Sequence, residues 1–139
     1  MLGLTTWHKS GSGWIDDVKG AFESFPFEAP FVPRMQTTRW GEWPDVNWVK
    51  KALTEQGLED VTVGVHSHLQ AVESAAEFVS QFASMVEWMV KTDWSDQTQE
   101  EHSLDEVKKL LEEYLVEKHG GKGWYLTWTS ITASGRKPL

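Results

Sequence analysis

The chain has 139 residues, 13 Lys and Arg against 21 Asp and Glu, a net charge of −8, nine Trp and no Cys. That length suits one domain with a single core, and 40% apolar with 24% charged residues is a globular composition. The acidic balance argues against nucleic acid and anionic lipid as partners, and no apolar run approaches the roughly 20 residues of a membrane span.

Without Cys there are no disulfides, thiolate nucleophiles or zinc–cysteine sites. No basic segment followed by an apolar one opens the chain, so no signal peptide is expected and the setting reads as cytoplasmic.

Leu2, Leu4, Thr6 and Trp7 form a short β-prone run, and Lys9, Ser10, Gly11, Ser12 and Gly13 read as the loop that ends it. Trp14, Ile15, Val18, Ala21, Phe22 and Phe25 recur at helical spacing. Asp16 and Asp17 sit in the first turn, where the helix dipole favours acids, and Pro26 stops the helix. Pro26, Pro30, Pro33 and Pro44 then make an extended crossover without regular structure. Asp45 caps or opens a helix with Val46, Val49 and Leu53 on its apolar stripe and Gly57 as its stop.

Residues 60–69, DVTVGVHSHL, alternate as a strand, with Val61, Val63 and Val65 on one face and Thr62, Gly64, His66 and His68 on the other. Ser74 and Glu77 form a capping box for the next helix. Its residues Ala76, Phe78, Val79, Phe82, Met85, Val86, Met89 and Val90 make it apolar on more than one side, hence deeply buried or facing a pocket. Ser103 and Glu106 open another amphipathic helix, carrying Leu104, Val107, Leu110, Leu111 and Tyr114. It ends at Lys118, His119, Gly120 and Gly121. Residues 123–137, GWYLTWTSITASGRK, read as a last strand, and there is no internal repeat.

The order is strand, helix, helix, strand, two helices, strand. With the stretches LGLTTWH, GWIDDVKGAFESFPFEAP, WVKKALTEQGLEDVTV, VESAAEFV and KHGGKGWYLTWTSITASGRK, it resembles the C-terminal half of class I S-adenosylmethionine-dependent methyltransferases, specifically the small-molecule methyltransferases of fungal secondary metabolism. The resemblance covers nearly all of these residues and the second half of the family's domain.

It implies an α/β, partial Rossmann-like fold with packing helices around a small mixed three-stranded sheet. The strands stand as the family's fifth, sixth and seventh, in spatial order 5-7-6, with the last antiparallel between the other two. The family's glycine-rich turn and ribose-binding acid belong to its first half. GSG and GGKG here follow a strand as a loop or end a helix, so the resemblance implies no S-adenosylmethionine site and no other cofactor. The family's fifth strand also pairs with a fourth. The first strand here is therefore expected to pair with its own copy in a homodimer with a continuous sheet, or with a full-length methyltransferase or a separate first half.

On that layout His8, His66, His68, Trp124 and Tyr125 share the rim where open α/β sheets hold ligands. Three catalytic candidates follow. His8 is a general acid or base at a strand end, or a loop histidine bonding a carbonyl. Glu42, between Trp40 and Trp43, is a proton donor if the indoles desolvate it, or a surface partner of Arg39. His66 pairs with His68 in the His-x-His spacing of a chelate, with Glu73 as a third ligand, or faces solvent from an edge strand. Sequence fixes no third ligand, so no metal is assigned.

Trp7, Trp14, Trp40, Trp43, His68, Phe82, Met85, Trp88, Met89 and Trp124 are candidates to line an apolar, aromatic substrate pocket, or else to fill the core. His102 and His119 read as helix caps, Asp16 and Asp17 as first-turn acids, and Ser10 and Ser12 lack an acid to complete a triad with His8. The expected function is a cofactor-independent cyclase or isomerase of fungal secondary metabolism acting on an apolar small molecule, through shape, desolvation and one proton transfer. The alternatives are a non-catalytic subunit that completes a methyltransferase, or methyl transfer retained in an assembly.

Overall fold

The computed structural model describes residues 1–32 and 41–139. In chain order it contains β1 (Leu2–Ser12), α1 (Trp14–Ser24), α2 (Val46–Glu55), β2 (Glu59–Val72), α3 (Ala75–Asp93), α4 (Asp96–Glu101), α5 (Leu104–Lys118) and β3 (Trp124–Arg136). The last strand is central, in the order β1-β3-β2. β1 runs antiparallel to β3, from Leu2 opposite Gly135 to Trp7 opposite Ser130. On the other side His66 bonds Thr132 and Gln70 bonds Trp128, so β2 also runs against β3. Each neighbouring pair is antiparallel, and the sheet is therefore antiparallel rather than mixed.

The chain folds as two compact units. One comprises Met1–Gly13, the described residues of Pro33–Gln70, and Thr127–Leu139; the other comprises Trp14–Val32 and Ala71–Leu126.

In the first unit α2 covers one face of the sheet. Val49 and Leu53 of the helix and Ala133 of β3 are buried together, with Leu4, Trp43, Trp48, Leu58, Val61 and Val63 packed around them. The helix starts where Asp45, in extended conformation, accepts the Trp48 N–H at 3.0 Å. That bond, with Lys9 at 3.5 Å, holds the Asp45 carboxyl below its ordinary 3.8. The helix stops at Gly57, whose φ of +81° suits glycine. Val65, expected on the same apolar face, is 48% exposed. The ten residues of α2 span about 15 Å while the fourteen of β2 reach about 46 Å, so the helix screens only the start of the strand.

β1 is longer than its sequence suggests. The stretch expected as a loop stays in the strand through a bulge: Trp7 pairs with Ser130 but Ser12 with Trp128, so β1 advances five residues while β3 advances two. Gly11 makes this possible, because a Cβ there would overlap the Thr129 carbonyl oxygen and lie 2.8 Å from that of His8.

The second unit is helical. α1 and α3 both pack on α5, and Val18, Phe22, Phe78, Val86, Val107, Leu111, Leu115 and Leu126 are fully buried among them. The wide apolar stripe of α3 is core. Ser74 accepts the Glu77 N–H at 3.1 Å, while the Glu77 carboxylate turns to the N–H of Glu73, one residue before its usual capping-box target. Ser103 caps α5 in the same way, and Glu106 meets the His102 ring instead of the backbone. α4 was not legible in the sequence: it is one polar turn and a half, capped by Ser95, with no apolar stripe. Among the described residues no helix is long and apolar enough to cross a membrane.

Candidate functional site

The face of the sheet opposite α2 carries several of the expected site residues. Residues paired across an antiparallel ladder point to the same side, so Thr5 with Thr132 and Trp7 with Ser130 define this face. His66 joins it, its Nε2 2.9 Å from Thr132 Oγ1. A Cβ on Gly64 would stand 3.1 Å from the His66 ring and 3.3 Å from the same hydroxyl, and His68 follows by alternation. The indoles of Trp7 and Trp128 meet at 5.2 Å with a 46° tilt, and Trp128 Nε1 donates to Gln70 Oε1 at 2.8 Å.

Trp7 is 41% exposed, and His66 and His68 are exposed. A shallow depression of about 310 Å³ is lined by Thr62, Gly64, His66, Thr132, Ala133 and Ser134. Chemically this is a flat surface with an imidazole, hydroxyls and an indole pair. It can hydrogen-bond a polar edge and stack on an apolar ring.

His8 stands in the bulge. Its Nδ1 accepts the Ser10 backbone N–H at 3.1 Å and lies 2.7 Å from the Ser10 hydroxyl, which assigns the ring proton of the neutral form to Nε2. Nδ1 is thus engaged by Ser10, not by a backbone carbonyl. Glu42 is exposed, and its carbonyl accepts the Asp45 N–H at 2.8 Å in the turn that leads into α2. Trp43 meets Trp48 edge to face at 4.9 Å. Trp40 and Arg39 lie outside the described residues. Among the described residues no three His, Asp or Glu side chains converge as metal ligands, and Glu73 does not join His66 and His68.

In the second unit, Trp14, Phe82 and Met89 are buried core, with Trp14 stacked on Phe82 at 5.8 Å. Met85 is half-buried and Trp88 is 50% exposed. A shallow groove of about 670 Å³ runs past Ser24, Phe25, Pro26, Leu110, Glu113, Tyr114, Glu117 and Lys118, and none of the expected site residues lines it.

The densest polar cluster among the described residues was not anticipated. Asp17 is 4% exposed; its Oδ1 accepts Lys118 Nζ at 2.7 Å and His119 Nε2 at 3.1 Å, and its Oδ2 accepts Trp124 Nε1 at 3.1 Å. The His119 ring lies flat on Trp124, centroids 3.9 Å apart and planes within 4°. Burial alone pushes the Lys118 ammonium down, but its bond to Asp17 and the attraction of that charge outweigh it, and its pKa stands above the ordinary 10.5. One sequence signal pointed to this cluster. Asp17 is three residues from Trp14 and four from Ala21, inside the buried stripe of α1, whereas Asp16 faces solvent. The carboxylate ties the start of α1 to the end of α5 and the first residue of β3.

No family model matches the chain.

Proposed function

We propose that this chain is a methyltransferase-like module that works by joining its sheet to a further strand along the outer edge of β1, and that it is not a catalyst by itself. The observation that supports this is the strand order β1-β3-β2, with α2 connecting the outer strands and packed on one face. It is the 5-7-6 order of the resemblance, in which the strand in the place of β1 has a neighbour on each side. Among the described residues β1 pairs with β3 alone, and on its outer side only the Lys9 N–H finds a backbone partner, the Pro44 carbonyl at 3.0 Å. A row of N–H and C=O groups with no backbone partner among the described residues, on a stretch from Leu2 to His8 that carries no Lys, Arg, Asp or Glu, is a template for β-augmentation.

Two measurements on the purified chain test this. Titration with S-adenosylmethionine in a calorimeter is expected to give no saturable heat, since the residues present hold no glycine-rich strand–turn–helix. Where the chain has joined a further strand, hydrogen exchange is expected to be slow at the outward amides of residues 2–8 and fast on the outer edge of β2. Saturable cofactor binding, or protection of the outer edge of β2 in place of β1, overturns the proposal.

A second reading, a cofactor-independent cyclase or isomerase, is favoured by Trp7 and His66 sharing the exposed face with Thr132. In it the indoles hold a conjugated substrate and His66 moves the proton, polarised by the Thr132 hydroxyl. A neutral aromatic fluorophore, N-phenyl-1-naphthylamine, then binds saturably, and Trp7→Ala weakens it about tenfold. Unchanged binding in that variant removes this reading.

A further inference from the structure

We infer that the strand joined to β1 is β1 of a second copy of this chain, antiparallel about a two-fold axis at Thr5, which makes one six-stranded sheet. This rests on β1 being a joining edge and adds the occupant and the register.

The usable edge has a defined end. The Lys9 N–H is already taken by Pro44, so the stretch without an outer partner among the described residues runs from Leu2 to His8, roughly 23 Å of strand, and its middle residue is Thr5. That stretch contains no Lys, Arg, Asp or Glu, the residues that normally block edge strands. In a chain of net charge −8 it is a surface along which two copies approach without setting carboxylates of the paired strands against each other.

The stretch is also complementary to itself. Centring the axis on Thr5 places Gly3 opposite the second copy's Trp7, and the second copy's Gly3 opposite Trp7. A side chain built on Gly3 meets nothing within 4 Å, while Trp7 is 41% exposed on the same face. The bare glycine thus leaves room for the indole, the pairing that compensates a glycine in an edge strand. On the other face Leu4 lies opposite Thr6, and Leu2, 46% exposed, opposite His8. Each contact occurs twice, as an isologous interface requires.

Thr5 is exposed, so changing it leaves the fold intact, and at the axis it faces its own copy. In sedimentation the wild-type chain is expected at twice its 15.9 kDa. Thr5→Lys and Thr5→Glu each set two like charges face to face and raise the dissociation constant about tenfold or more. Mixing the two variants in equal amounts restores the dimer. Thr5→Cys, the only cysteine in the chain, cross-links on mild oxidation.

Circular dichroism verifies the fold of each variant. A monomeric wild type, a Thr5→Lys dimer as tight as wild type, or a charge-paired mixture that stays monomeric overturns the pairing. The cofactor titration is read separately: a monomer that gives no saturable heat with S-adenosylmethionine rejects the second copy and leaves β1 to another strand, whereas a dimer that binds the cofactor saturably keeps the pairing and overturns the reading as a module without a cofactor site.

Discussion

Asp17→Ala is expected to lower the stability of the protein by about 3 kcal/mol, seen as a fall of roughly 10 °C in the midpoint of thermal unfolding. Asp17 is the buried acceptor for three donors from distant parts of the chain, Lys118, His119 and Trp124. Removing it strands the Trp124 N–H and leaves two cations or potential cations beside an apolar hole. The loss stays short of a fully buried ion pair because the Lys118 side chain is 37% exposed and turns to water. An unchanged midpoint would mean that the cluster carries no stability.

The same cluster sets a pH dependence. The Lys118 pKa is raised above 10.5 by folding, so its contribution is complete below that value and is lost as pH rises through the folded pKa. The stability difference between wild type and Lys118→Met should therefore be constant to about pH 10 and shrink above it. A difference that grows with alkalinity would contradict the assignment.

Gly11→Ala is expected to cost about 2–3 kcal/mol, a large effect for one methyl group. Its Cβ would overlap the Thr129 backbone oxygen, and backbone in a central strand has no room to yield. The bulge then opens and the bonds between His8 and Ser10 separate, so β1 pairs with β3 only as far as Trp7. Gly57→Ala is the control. Its φ of +81° carries strain, but its Cβ meets nothing within 4 Å, so its cost is about 1 kcal/mol. Equal costs in the two variants would show that backbone conformation, and not the contact at Thr129, governs Gly11.

The sequence was most legible where local chemistry decides structure. Asp45, Ser74 and Ser103 were read as helix starts, and each accepts the N–H three residues on, a bond made within one turn. Val61 and Val63 alternate with Thr62 and pack on α2 as their period requires. Glycines 57, 120 and 121 end helices with positive φ. The residues 9–13 misled because Lys-Ser-Gly-Ser-Gly has turn composition, and only pairing with β3 keeps them in a strand. Trp14, Phe82 and Met89 illustrate the same limit: an aromatic stripe looks alike whether it meets a ligand or another helix.

The sequence by itself determined the helices with caps and stripes, the alternating strand and the central apolar content, because propensity, capping and periodicity act over a few residues. Tertiary structure alone decided the bulge at Gly11, the sheet face shared by Trp7, Trp128, His66 and Thr132, and the burial of Asp17 against Lys118, His119 and Trp124. Those depend on which residues far apart in the sequence come into contact, as His66 does with Thr132 and Asp17 with Lys118. That is settled by packing the whole chain, since a buried carboxylate or a glycine contact has its reason in the partner it meets and not in its neighbours along the sequence.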